Sequence, residues 1–158
     1  AYDMEKKGFA LVDPGSSAGL DGAISKAYER KQGFMGYYWA PTALLGKYEM
    51  VKLKGNAPND QAEWDRCTGQ ADCDDPKIND WSASRVSTVV TKDFMDNSAV
   101  ALSYFSRRSI GNSDLGKLLA WMTDNQATGE EAAEEFIKTR EDIWTKWVSK
   151  DVAEKIKK

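Results

Sequence analysis

The spacing of hydrophobic residues changes several times along the chain, and each change marks an element. Phe9 to Val12 is a short apolar run that reads as a strand, ended by the turn-forming stretch "DPGSSAGLDGA". From about Ala18 to Lys31 the spacing becomes helical, with Leu20, Ile24 and Tyr28 on one face and Ser16 or Ser17 placed as cap. Phe34 to Trp39, between Gly33 and Pro41 in "GFMGYYWAPT", reads as a second strand. Strand side chains alternate, which sends Tyr37 and Trp39 to one face and Tyr38 to the other. Pro41 opens one or two helical turns in "PTALLGKY", and Tyr48 to Leu53 alternates as a further strand. Strand, helix and strand in that order predict a βαβ unit, hence an α/β fold with a partly parallel sheet.

From Lys54 to Ser84 the chain is polar and interrupted by Gly, Pro and Asn. So long a stretch without regular structure is expected to be either functional or stapled. "SRVSTVVT" predicts a buried strand over Val86 to Val90, followed by short helices near Lys92–Asp96, Ser98–Arg107 and Ser113–Asp124. Thr128 and Glu131 form a capping box that opens the last and longest predicted helix. Its apolar stripe is Ala133, Phe136, Ile137, Trp144, Trp147, Val148, Val152 and Ile156.

Composition narrows the function classes. The 158 residues suit one domain or part of a two-lobed protein, and a net charge of -3 offers no electrostatic footprint for nucleic acid. No apolar run reaches membrane-spanning length. The chain lacks an initiator Met and a leader, which reads as a processed or excised form. Histidine is absent altogether, removing the usual general base and the commonest metal ligand. The two cysteines, in "RCTGQADCDDP", have a spacing that matches no common zinc pattern. A Cys67–Cys73 loop disulfide is the better reading over free thiols, contributing roughly 2 kcal/mol by loop closure. Such a bond points to the periplasm or the cell surface.

Two features carry candidate chemistry. The Gly-Ser-Ser turn at Ser16 and Ser17 offers hydroxyls, backbone N–H groups and the positive end of a helix dipole, which suit a carboxylate; a plain helix cap is the alternative. The "YYW" at Tyr37, Tyr38 and Trp39 offers aromatic faces to a quaternary ammonium; ordinary core is the alternative. Together they describe a seat for a zwitterion. Glu130, Glu131, Glu134 and Glu135 read as dipole complementation, and Trp144 and Trp147 as core. Asp72, Asp74 and Asp75 lack the rest of a calcium loop. No dinucleotide, phosphate-loop or Gly-x-Ser-x-Gly motif is present.

The stretch "VDPGSSAGLDGAISKAYERKQGFMGYYWAPTALLGKYEMVKLK" resembles the substrate-binding proteins of ABC-type glycine betaine/proline transporters (OpuAC-like, ProX-like). "WDRCTGQADCDDPK" and "EDIWTKWVSKDVAEKIK" share the likeness, which extends over nearly the whole chain. The resemblance implies a periplasmic-binding-protein-like (type II) two-lobed α/β fold, of which this chain is the C-terminal part. Residues 1–40 would belong to the second lobe, 41–48 to a hinge or crossover, and 49–158 to the first lobe. It implies a non-enzymatic solute-binding component for glycine betaine or a related quaternary-ammonium or proline-type compatible solute, with Trp39 as a cage wall. The partners implied are that ligand and a membrane permease, with no cofactor, metal or nucleic acid. A lobe cut through its sheet is also expected to self-associate. The alternatives are an aromatic-platform carbohydrate-binding module and, behind it, a serine hydrolase using Ser16 or Ser17.

Overall fold

Alternating residues make a strand only where a neighbouring segment takes up the backbone hydrogen bonds. The computed structural model of the chain describes residues 3–158, and among these no strand or sheet forms, while 51% of the chain is helical. This overturns the expected α/β, type II periplasmic-binding-protein-like fold. Phe9–Val12, Phe34–Trp39, Tyr48–Leu53 and Val86–Val90 form neither strand nor helix. The last was expected to be buried, yet Val86 is 96% exposed. The pattern in these segments records which side chains would share a face. It does not supply the second strand, and within the described residues none of the four pairs with another.

The helices are α1 (Ser17–Glu29), α2 (Ala43–Lys47), α3 (Gln61–Glu63), α4 (Lys92–Asn97), α5 (Ala99–Arg107), α6 (Asn112–Asn125), α7 (Gly129–Thr139), α8 (Glu141–Trp144) and α9 (Lys150–Ile156). A 3₁₀ turn at Glu5–Lys7 precedes them, and α3 runs on as a π-helical turn over Trp64–Thr68. The chain divides into two compact units, residues 1–19 with 51–87 and residues 20–50 with 88–158.

In the first unit, side-chain bonds hold the polar stretch together. Asp60 N–H donates to Asn79 Oδ1 (2.7 Å) while Asn79 Nδ2 donates to the Asp60 carbonyl (2.9 Å). The buried Glu63 carboxylate receives Arg66 Nε and Nη2 (2.7 and 2.9 Å) and the backbone N–H of Lys77 (3.1 Å). Cys67, fully buried, is bonded to Cys73 with Cα atoms 5.3 Å apart. The long polar stretch is thus stapled, by the disulfide and by Glu63. Trp64 meets Trp81 edge to face at 4.7 Å beside this loop.

The second unit is helical. Ile24 of α1 is almost fully buried, as its place on the predicted face requires. α2 lies against α6 at unusually close range, because a Cβ on Gly46 would overlap the Gly116 carbonyl. Lys47 Nζ to Asp124 Oδ1 (2.6 Å) adds an ion pair to the same crossing. α4, α5 and α6 fall where the pattern placed them, and α7 opens with the expected capping box. Thr128 Oγ1 accepts from Glu131 N–H (3.3 Å), and Glu131 Oε2 accepts from Thr128 N–H (2.7 Å).

The single long last helix is also corrected. It breaks at Arg140, whose backbone leaves the helical region (φ -124°, ψ 46°) and whose guanidinium bonds to Asp142 and Asp114. Within α7 Ala132 rather than Ala133 turns inward, one turn before Phe136, and Ile137 of the expected stripe is exposed. The break then resets the helical phase, and in α9 Ala153 is buried while Val152 and Ile156 are exposed. The core is Phe136, Trp144 and Ala153, with Ile110, Leu118, Ile143, Trp147 and Val148 packed around it. Trp144 Nε1 donates to the Ile137 carbonyl (2.7 Å), and Trp147 stacks on Phe136 at 5.5 Å. Both tryptophans are core, as expected.

Candidate functional site

The aromatic site follows from the chain between α1 and α2. The segment forms no strand, so consecutive side chains need not alternate. Tyr38 and Trp39 stack, with centroids 4.7 Å apart and planes 28° apart. Tyr37 reaches the same indole at 6.2 Å and 32°. The expected division, with Tyr38 on the opposite face, is therefore replaced by one cluster of three rings. Trp39 is 45% exposed and Tyr37 52% exposed, so two of the three rings present large surfaces to solvent.

Tyr38 is the anchor of the cluster. Its hydroxyl donates to Asp21 Oδ1 of α1 at 2.5 Å. Burial and then the Asp21 bond push its phenol up to about 12, with a Thr42 hydrogen bond partly opposing them. Tyr38 thus stays a neutral donor at ordinary pH, and Trp39 stacks on a ring that is fixed at its far end. Nothing in the sequence pattern singled out Asp21; only its place one turn into α1 brings it under the phenol.

The serine turn has a plainer geometry. Asp13 Oδ1 accepts from Gly15 N–H (2.8 Å), Gly15 takes a left-handed φ of 70°, and Ser16 Oγ accepts from Gly19 N–H (3.0 Å). Ser16 is the helix cap, one of the two serines expected in that role. Ser17 is the first residue of α1. A Cβ on Gly19 would overlap the Pro14 carbonyl, so this turn requires glycine there. Ser16 and Ser17 fall in the first unit, and Tyr37, Tyr38 and Trp39 in the second.

The second unit also contains two recesses. One, of about 250 Å³, is bounded by Arg107, Ser109, Ile110, Gly111, Asp114, Ile143, Lys146 and Trp147. The other, of about 550 Å³, is bounded by Tyr28, Glu29, Lys31, Gln32 and Tyr48. Trp39 lines neither. The second recess was missed by the sequence reading, which placed Tyr28 on the apolar face of α1 and Tyr48 in a strand. Its only sequence signal is a tyrosine at the end of each of two successive helices.

The site is a cluster of exposed stacked rings, anchored by one neutral phenol on the Asp21 carboxylate. Residues 1–139 match the family model described as the substrate binding domain of the ABC-type glycine betaine transport system, and the chain belongs to that family. Members are non-enzymatic transport components that take a small ligand to an ABC permease, and they work outside the cytoplasm. Among the described residues no helix is long and apolar enough to cross a membrane.

Proposed function

We propose that this chain binds glycine betaine, or a related quaternary-ammonium or proline-type compatible solute, with Trp39 as a wall of the aromatic cage and Tyr37 and Tyr38 as its neighbours. The observation that carries this is the exposed Trp39 indole stacked on an anchored Tyr38, in a chain of the glycine betaine family. A trimethylammonium group is attracted to such faces electrostatically and loses little hydration on leaving water. The Gly-Ser-Ser turn is proposed by itself, as a place where the Ser17 hydroxyl and the N–H groups at the start of α1 donate to a carboxylate while Ser16 remains the cap. The disulfide supports an oxidising site of action, the periplasm or the cell surface. Self-association through the unpaired segments belongs to the same reading.

Calorimetric titration with glycine betaine, proline betaine, choline, carnitine and proline tests the ligand. Trp39→Ala in the intact protein should weaken ammonium binding by on the order of 2 kcal/mol, with the fold unchanged. Trp39→Phe keeps a weaker face and should retain part of the affinity. Unchanged betaine affinity in folded Trp39→Ala protein would remove Trp39 from the site.

A further inference from the structure

The groove between α1 and the end of α2 has its own chemistry. Tyr28 and Tyr48 pack against each other with centroids 4.5 Å apart and planes tilted by 38°, so it is their outer faces and edges that line the groove. Tyr48 Oη donates to Glu29 Oε1 at 2.9 Å, which holds the carboxylate at the edge of the rings and leaves Oε2 for a cation. The carbonyl end of α1 adds partial negative charge at the same place. Lys31 and Gln32 also line the groove, and their side chains have no partner among the described residues.

Lys31 is held there by an uncommon backbone. The chain leaves α1 with Lys31 N–H bonded to the Tyr28 carbonyl (3.0 Å) and Gln32 N–H to the Ala27 carbonyl (2.8 Å). Lys31 itself takes a left-handed φ of 55°, a position that usually carries glycine. Gly33 follows two residues later, so the glycine is displaced from the position where the helix end favours it.

We infer that this groove is a second seat for a small zwitterion, with its ammonium against Tyr28, Tyr48 and Glu29 and its carboxylate against Lys31 and Gln32. Two aromatic faces and a carboxylate attract a cation, but a simple cation would also meet the Lys31 ammonium. A simple anion would meet Glu29. Only a ligand carrying both charges satisfies both sets of groups, and the open groove of about 550 Å³ has room for one. The choice of a betaine as probe rests on the function proposed above; the charge arrangement of the groove does not.

The test is an NMR titration of the full chain, with tyrosine rings labelled, against glycine betaine and against choline, which lacks the carboxylate. Betaine should shift the Tyr28 and Tyr48 ring signals saturably, with the same midpoint in wild type and in Trp39→Ala. Lys31→Met, an exposed change, should raise that midpoint by roughly two- to fivefold, the range of an exposed charge pair. Choline should bind more weakly than betaine in wild type and equally well, relative to betaine, in Lys31→Met. Ring signals that stay still, that drift linearly with concentration, or that lose their response in Trp39→Ala overturn the second seat. If the rings saturate while calorimetry finds betaine affinity independent of Trp39, the groove stands and the Trp39 cage fails.

Discussion

At Tyr38 burial and the bond to Asp21 together keep the phenol of the ring cluster neutral. The fold favours the neutral phenol, so its stabilisation is complete below the ordinary pKa of 10.0 and is lost as pH rises through about 12. Asp21→Asn should bring the Tyr38 ionisation back towards the ordinary value, read by ultraviolet titration of the phenolate. It should also loosen the stacked Trp39. Lys31 makes the opposite kind of test. Lys31→Gly relieves a left-handed side chain and should stabilise the second unit by up to about 1 kcal/mol in urea unfolding. The residue types of the aromatic site were legible in the sequence, because tyrosines and tryptophans before an Ala-Pro break are visible as such. Their mutual geometry was not. The reading assumed pleated alternation, and an unpaired segment has none.

The helices show which signals in the sequence are local. The capping box at Thr128 and Glu131, the Ser16 cap and the spans of α4, α5 and α6 were all readable, because each depends on residues three or four positions apart. The break at Arg140 was not, since its causes include Asp114, twenty-six residues away. The four strand readings failed for a related reason: a strand needs a distant partner, and local alternation does not provide one. The α2–α6 crossing offers a sharp test of such distant contacts. Gly46→Ala drives a Cβ into the Gly116 carbonyl and should cost about 3 kcal/mol in urea unfolding. Gly116→Ala meets its neighbours only at 3.3 to 3.6 Å and gains helix propensity, so its net change should stay below about 1 kcal/mol.

The stapled first unit is where the molecule should respond to acid. Bonds from the Arg66 guanidinium, and then from the Lys77 N–H, hold the Glu63 carboxyl at about 2, below the ordinary 4.5. A depressed carboxyl stabilises the fold fully above its ordinary pKa, and that contribution fades as pH falls from 4.5 through about 2. Tryptophan fluorescence from the Trp64–Trp81 pair should report a transition in that window, and Glu63→Gln should flatten it. The unpaired segments govern association. Val86, Val89, Leu11 and Val51 are each at least 85% exposed and lie outside any helix, and apolar segments without a pairing partner are templates for association. Sedimentation should show the 158-residue chain associating as its concentration rises, and Val86→Lys with Val89→Lys should suppress this. A monomer at every concentration would remove self-association from the reading.

The contact between Gly46 and Gly116 also sets an order of events during synthesis. About 70 residues separate the two glycines, so at ribosomal rates α2 leaves the exit tunnel roughly 4 to 14 seconds before its partner does. Neither unit is contiguous in the gene, and the first cannot close until residue 87 has been made, nor the second until α6 has followed. In that interval Leu44, buried in the finished chain, faces solvent on a five-residue helix too short to persist alone. The nascent chain therefore offers chaperones a binding segment near residues 43–47 that the finished protein conceals.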